Sequence, residues 1–236
     1  AGFSWFVSAG TGFESPTLAE IAYQTDDTGV NLALNASTNQ QWESGFKWLG
    51  DGLSASLSYF DIDSKNELLV DSSNGGRTSY RNAAKTERNG AELQLNWQLN
   101  GYVRQQLNAS YLSAKFADAG LDGKRLPGIA DSQLHWQLAV QPWQDNTEFA
   151  LHSQYRSKVY IDDANSDSAP SALTFSLSAR HSQQWQQLNL AYWLVLDNVS
   201  DKDYVGSVIV NQSNGRAIEP APGRQLSAGI SIGYNW

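Results

Sequence analysis

The C-terminal residues alternate strictly between apolar and polar side chains. Between residues 226 and 236 every even position is apolar or aromatic, and every odd position is serine, glycine or asparagine. Successive side chains of a β-strand point to opposite faces, so the apolar side chains share one side of an extended strand. The same period recurs along the chain and predicts ten strands, with a short helix at 16–23. The predicted strands are 3–7, 42–48, 53–59, 93–99, 103–111, 134–140, 149–159, 173–179, 188–196 and 226–236.

The connections between these strands alternate in length. Tight turns are predicted at 50–52, 100–101, 142–146 and 183–186. The long links are 9–40, 62–78, 114–128, 161–170 and 198–223. Transmembrane barrels have short periplasmic turns and long outer loops. A soluble β-sandwich also alternates along its strands, but it gives no reason for this alternation of loops. We therefore predict an all-β, transmembrane, antiparallel up-and-down β-barrel with both termini on the periplasmic side.

Aromatic side chains collect at the short-turn ends of the predicted strands. Indole and phenol rings favour the boundary between lipid headgroups and hydrocarbon, because their bodies are apolar and their tips are polar. The alternation then turns the apolar face to lipid and the polar face to a wet lumen. The predicted membrane-interface girdle consists of Trp48, Trp97, Tyr102, Trp143, Trp185 and Trp236.

Some positions on the predicted lumen face carry large or charged side chains. Trp193 and Val195 are apolar there, so we expect them to pack against something inside the lumen. The charged members of this face are Glu92, Arg104, Arg156, Lys158 and Arg180.

Composition narrows the function classes. The 236 residues are 41% hydrophobic and contain no cysteine, which excludes disulfides, thiolate metal sites and thiol nucleophiles. A formal net charge of −8 argues against a sequence-independent nucleic-acid partner. The longest apolar run, 190–196, is too short for a membrane-spanning helix. Because the sequence has no methionine and starts at Ala1 without a leader pattern, we expect a processed or excised piece.

Five short motifs occur in a fixed order along the chain. Residues 10–20 read GTGFESPTLAE, 42–45 read WESG and 88–93 read RNGAEL. Residues 196–204 read LDNVSDKDY, and 222–224 read PGR ahead of the last strand. In this order and spread, the chain resembles the C-terminal portion of the barrel of TonB-dependent outer-membrane receptors.

The resemblance implies part of a larger protein. Members of that family have a 22-stranded barrel, an N-terminal plug inside it and a segment that TonB grips from the periplasm. The whole chain, 1–236, matches a barrel segment of about the last ten strands, with no plug domain. Two arrangements are open. In the first, the chain is a fragment of the larger barrel, whose plug and remaining strands lie on a companion chain or were removed. In the second, its ten strands close into a small barrel. The implied location is the outer membrane of a Gram-negative bacterium, with outer-membrane lipid as partner and a periplasmic C-terminus. TonB–ExbB–ExbD would act only through a plug outside this chain.

The function that the resemblance implies is import of a scarce solute, most often an iron–siderophore-type metal chelate. The alternative is a plugless small barrel that acts as a pore, a surface anchor or a subunit of a larger assembly. An outer-membrane protease would need acids and histidines converging at the outer rim; because the acids are scattered, we expect no enzyme. From charge and loop position, the predicted ligand-binding residues are Arg77, Arg125, Asp162, Asp163 and Arg216.

Metal and catalytic motifs are weak in this sequence. None of the histidines, His135, His152 and His181, has a second ligand two or four residues away, so we expect polar wall residues rather than metal ligands. Residues 162–167 are rich in oxygen ligands but lack the glycine and terminal glutamate of an EF-hand loop, which favours a solvated outer loop. We predict no catalytic residue, no metal site and no cofactor.

Overall fold

The computed structural model describes residues 1–24, 29–143 and 146–234 of the chain. Within these ranges it is almost entirely β-structure. No α-helix in the described part is long and apolar enough to cross a bilayer. The elements are β1 (Gly2–Glu14), α1 (Leu18–Ile21), β2 (Ser37–Gly50), β3 (Leu53–Asn74), β4 (Arg77–Gln98), β5 (Val103–Phe116), β6 (Ser132–Val140), β7 (Thr147–Arg156), β8 (Val159–Tyr160), β9 (Ser168–Ala169), β10 (Ala172–Trp185), β11 (Leu188–Asp197), β12 (Val205–Val208), β13 (Ile218–Pro220) and β14 (Gln225–Tyr234).

Ten strands form one antiparallel up-and-down sheet, as the alternation predicts. The order is β1-β2-β3-β4-β5-β6-β7-β10-β11-β14, while β8–β9 and β12–β13 form separate ribbons within the long connections. The edge strands β1 and β14 are not joined by any ladder within the described residues. The sheet is therefore open, and it is not the closed ten-stranded ring that the sequence left possible.

The register keeps apolar side chains on one face from strand to strand. Leu57 of β3 lies opposite Phe46 of β2 and Leu93 of β4, whereas Ser58 lies opposite Gly45 and Glu92. The apolar face is uncovered: Leu226 is 68% exposed and Ile232 63%. A face of this kind needs an apolar medium, which the hydrocarbon of a bilayer supplies.

The long hairpin β3–β4 corrects the prediction of a loop at 62–78. Both strands run 22 residues, and the ladder continues to Asn74↔Arg77 with one shift between Val70 and Ser72. Only Gly75 and Gly76 remain as a turn, with φ of 57° and 80°. The period of two is lost here, because Leu68, Leu69 and Val70 are consecutive apolar residues in a mostly polar stretch. The predicted long link at 62–78 is therefore almost entirely paired strand, with a two-residue turn at its end.

The motif at 10–20 includes the end of β1 and the start of the short helix α1. This confirms the short helix expected at 16–23. The Thr17 hydroxyl accepts a hydrogen bond from the Glu20 N–H at 3.4 Å, and the Thr17 N–H donates to the Glu20 carboxylate at 2.7 Å. This is a capping box, which satisfies backbone donors at the helix start. Thr17 and Glu20 of the motif therefore have a local structural role.

Three inner-face glycines lie beneath aromatic rings of a neighbouring strand. A β-carbon at Gly45 would lie 2.7 Å from the Phe6 ring, and one at Gly229 would lie 2.4 Å from the Trp193 ring. At Gly90 the distance to the Phe60 ring would be 2.7 Å. Aromatic cover of a strand glycine restores packing that the missing side chain removes. The expected packing partner of Trp193 is thus the sheet itself, at Gly229.

The connection from β11 to β14 is held by its own polar side chains. Asn198, with φ of 47°, donates from Nδ2 to the carbonyl of Lys202 at 2.9 Å and accepts from the Lys202 N–H at 2.9 Å. Asp201 accepts the Arg224 N–H at 2.8 Å and lies 3.5 Å from its guanidinium. The motifs at 196–204 and 222–224 therefore meet and fix where the last strand begins.

Candidate ligand-binding face

The polar face of the sheet lines a concave cavity of about 770 Å³. Its wall comes from β3 to β7 and from β10, and one side is closed by the long connection after β11. The polar side chains of the wall are Ser56, Ser58, Glu92, Gln94, Asn108, Ser110, Gln133, His135, Gln154, Arg156 and Thr174. Val205, Ala221 and Pro222 also line the cavity, so it offers a solute both hydrogen bonds and apolar contact.

Arg156 fastens the 198–223 connection to this wall. Its guanidinium donates to the carbonyl of Val205 at 2.8 Å and to that of Gly206 at 3.4 Å. Val205 and Val208 pack against a small buried cluster of Ala130, Val159 and Ala169. The connection therefore folds over the inner wall.

Replacing Arg156 with alanine should release this connection. Hydrogen bonds from a charged donor contribute about 1.5–3 kcal/mol each, and 1.4 kcal/mol corresponds to a factor of ten in a population. We expect at least about tenfold faster hydrogen exchange in peptides covering 203–222, measured by mass spectrometry. Lys158→Ala is the matched control, because Lys158 bonds Tyr160 instead. Equal exchange in the Arg156 variant and the native protein would show that this contact does not hold the connection.

The long connections are also tied to one another at the loop end of the sheet. Arg81 of β4 pairs with Asp163 at 2.8 Å and with Asp71 at 3.5 Å. Asn211 donates to the carbonyl of Val70 at 2.7 Å, and its side-chain oxygen accepts the Asp163 N–H at 3.1 Å. The hairpin β3–β4, the 161–170 link and the 198–223 link thus form one platform. Charge pattern did not single out Arg81, because its partners are distant in sequence.

The five predicted ligand-binding residues divide into two groups. Arg125 donates to the Ser113 hydroxyl at 2.9 Å and lies 3.2 Å from the Asp131 carboxylate. Asp162 and Asp163 are likewise bonded within the platform. Arg77 and Arg216 are exposed near the tips of two connections, and the Arg77 guanidinium lies 5.4 Å from the centre of the Tyr23 ring. The structure does not bring the five together as one cluster.

Asp162 holds its loop together as an acceptor. Burial disfavours its ionised form, but hydrogen bonds from the Ser166 hydroxyl and from the N–H groups of Ser166, Asp167 and Ala164 outweigh burial and lower the pKa of the Asp162 carboxyl below its ordinary value. Within the described residues, no group of three or more histidine, aspartate or glutamate side chains could hold a metal ion. The 162–167 segment is therefore an internally bonded loop.

The predicted girdle residues within the described ranges are exposed near the short turns. Trp48 is 40% exposed and Trp185 61%, and Trp97, Tyr102 and Trp143 are exposed as well; Trp236 lies outside the described residues. Register adds a second set nearer the long connections, which sequence reasoning missed. Trp42 and Tyr59 have ring centres 5.4 Å apart, and Tyr111 and Tyr155 share their face.

The histidines occupy two different faces of the sheet. His135 and His152 are on the inner face, and their ring centres are 6.3 Å apart. His181 follows the apolar side chains of β10, and its Nδ1 lies 2.8 Å from the Thr147 hydroxyl. The proximity of His135 and His152 could not be predicted from sequence, because the two residues belong to different strands.

Comparison with known proteins finds one family model and many solved structures. The family model is the TonB-dependent receptor-like β-barrel, and it matches residues 1–199.

Three solved structures illustrate the likeness. The ferric preacinetobactin receptor from Acinetobacter baumannii has 18% identity and a TM-score of 0.72, over 98% of this chain and 34% of that protein. A copper transporter, OprC, has 18% identity and a TM-score of 0.77, over 97% and 37%. The ferric yersiniabactin uptake receptor from Yersinia pestis has 16% identity and a TM-score of 0.73, over 97% and 34%. The chain spans about a third of the length of these proteins.

Proposed function

The chain belongs to the TonB-dependent receptor-like β-barrel family, and from this we propose that it is the barrel part of a receptor that imports a scarce solute. We further propose that the solute is a metal chelate of the iron–siderophore type. Two of the similar structures are named as ferric-chelate receptors and one as a copper transporter. The chain's contribution is the inner wall and the loop platform above it.

The observation that carries this proposal is that side-chain contacts join the long connections to one another and to the inner wall. Arg81 ties the hairpin β3–β4 to the 161–170 link, and Arg156 ties the 198–223 link to the wall. A solute that lands on the connections would then meet the cavity of about 770 Å³ that the inner wall lines. Sites of this kind bind by enclosing a ligand and placing a few polar groups around it.

Arg77 and Arg216 are the proposed first contacts for an anionic chelate, since both are exposed at the loop end. Guanidinium groups bind carboxylate and other oxyanions through paired hydrogen bonds. Arg125, Asp162 and Asp163 would serve the same site by holding the loops in place.

Location and partners follow the same reasoning. A β-barrel of the Gram-negative outer membrane follows from the family. We propose that the short turns and both termini face the periplasm and that the long connections face outward. Outer-membrane lipid would contact the apolar face. The remaining strands and the plug would come from sequence beyond this chain or from a companion chain, and TonB–ExbB–ExbD would act through that plug.

The open sheet bears on the alternative of a small plugless barrel. With β1 and β14 both unpaired edges in the described part, the ten strands need further strands to satisfy their backbone groups in lipid. This favours the larger barrel over a pore or surface anchor of ten strands.

The proposal is tested by uptake of radiolabelled ferric chelates into cells that carry or lack the full-length protein. We expect uptake to require the protein and to stop when the proton gradient is collapsed. Arg77→Ala combined with Arg216→Ala should raise the half-saturating concentration about tenfold, equivalent to about 1.4 kcal/mol. Lys65→Ala, an exposed cation of β3 with its side chain on the outward face, should leave it unchanged. Uptake that persists without a gradient would indicate a passive pore instead.

A further inference from the structure

Two histidines meet on the inner face at neighbouring strands. His135 of β6 lies opposite Gln154 of β7, and His152 of β7 lies opposite Gln137 of β6. The four side chains form a block with the histidines on one diagonal. The two imidazole rings are 6.3 Å apart between centres and are tilted by 40°. Side chains on such a diagonal are within reach of one another.

The second feature of this block is a hydrogen bond that orients one ring. The Nε2 atom of His152 lies 3.0 Å from the Ser178 hydroxyl on β10. Metal-binding histidines characteristically donate their second ring N–H to an oxygen, which fixes the tautomer and the ring orientation. If Nε2 donates to Ser178, the lone pair of His152 is on Nδ1, which is free to bind a cation.

We propose that His135 and His152 together bind one divalent transition-metal ion, of the class Cu²⁺, Ni²⁺ or Zn²⁺, from the lumen. Metal–imidazole bonds of about 2.0–2.1 Å let two rings at about this spacing share one ion after small side-chain rotations. Imidazole suits these borderline ions. This goes beyond the proposed function, because the site would bind a bare metal ion at two histidines and not an intact chelate.

Binding should be moderate in strength. No third histidine, aspartate or glutamate joins the pair among the described residues. Water and the amide oxygens of Gln137 and Gln154 would complete the coordination. Among the three metals, Cu²⁺ should bind tightest, since affinity for a given nitrogen site rises to copper.

The third histidine provides a matched control. His181 shares the outward face with Tyr192, and their ring centres are 6.3 Å apart. Its Nδ1 already contacts the Thr147 hydroxyl. One imidazole without a second cannot chelate, so His181→Ala should not alter the metal site.

The experiment titrates the purified full-length protein in detergent, without a polyhistidine tag, with CuCl₂. Calorimetry should find one site, and electron paramagnetic resonance should show copper bound to nitrogen. His135→Ala and His152→Ala should each weaken the affinity at least about tenfold and reduce the nitrogen signature. Absence of copper binding in the native protein, with uptake of ferric chelates still present, would refute this inference and leave the proposed function standing.

Three outcomes would overturn the site. They are unchanged binding in the His135→Ala/His152→Ala double variant, an equal loss in His181→Ala, and native affinity weaker than about 1 mM. His135→Gln and His152→Gln keep polar side chains of similar reach, so they guard against a folding defect. Each variant should keep the native shift in mobility between heated and unheated gel samples.

Discussion

Replacing Leu57 with arginine should cost the folded protein about 2–4 kcal/mol in lipid. Leu57 is 49% exposed on the apolar face, midway along the sheet, and its cross-strand neighbours are Phe46 and Leu93. If this face meets hydrocarbon, the guanidinium must stay near the bilayer centre or distort the bilayer to reach water. The measurement is the free energy of unfolding of the full-length protein in lipid vesicles, with guanidinium chloride as the denaturant.

The neighbouring residue supplies the control for this experiment. Ser58→Arg adds the same side chain to the opposite face, where it would lie beside Glu92 on the polar wall. We expect a change within about 0.5 kcal/mol there, as for ordinary surface substitutions. Equal costs at Leu57 and Ser58 would mean that the faces are assigned wrongly, and the membrane-spanning interpretation would fail with them.

The sheet could be predicted from sequence because one physical rule acts on nearly every strand. An apolar side chain at every second position, as in Leu226 to Tyr234, has only one arrangement that puts all of it against lipid. The rule does not apply where apolar and polar side chains no longer alternate. Beyond Tyr59 the strands of the hairpin β3–β4 lose the alternation, since Leu68, Leu69 and Val70 are consecutive apolar residues. The continuation of the ladder to Asn74 could therefore not be predicted from periodicity.

The side-chain pairs of the candidate site were less predictable than the sheet, because they depend on strand register. Which residues of β6 and β7 lie side by side is set by how the strands align, and a shift of one residue would move His152 to the other face. The pair His135 and His152 therefore appears only in the folded sheet. The same holds for Arg81 and Asp163, which are 82 residues apart. Charge and loop position predicted Asp163 and Arg125 as ligand contacts but could not predict their ion pairs with Arg81 and Asp131.

The glycine motif at 88–93 has a clear physical reason in the structure. Gly90 lies opposite Phe60 on β3 and Leu112 on β5, next to the Tyr111 carbonyl. A β-carbon there would sit 2.4 Å from the Tyr111 carbonyl oxygen and 2.7 Å from the Phe60 ring. The oxygen belongs to the backbone of the adjacent strand, so it cannot move away without disturbing the ladder between β4 and β5.

Gly90→Val should therefore destabilise the protein by about 1–3 kcal/mol, the usual cost of overfilling a packed position. The measurement is again unfolding in lipid vesicles. Gly10→Val is the matched control, because the nearest atom to a β-carbon at Gly10 is the mobile Gln41 amide at 3.8 Å. It should be near neutral.

Adding Phe60→Leu to Gly90→Val separates the two contacts. Removing the ring relieves the side-chain clash but leaves the Tyr111 carbonyl in place. We expect Gly90→Val to cost less free energy of unfolding in the Phe60→Leu background than in the native protein, but still to cost some. The difference between the two costs measures the coupling between the Phe60 ring and Gly90. Full recovery would assign the whole cost to the ring. No loss in Gly90→Val itself would show that β4 and β5 are not packed as closely as the structure has them, and the register that brings His135 to the same wall would then need revision.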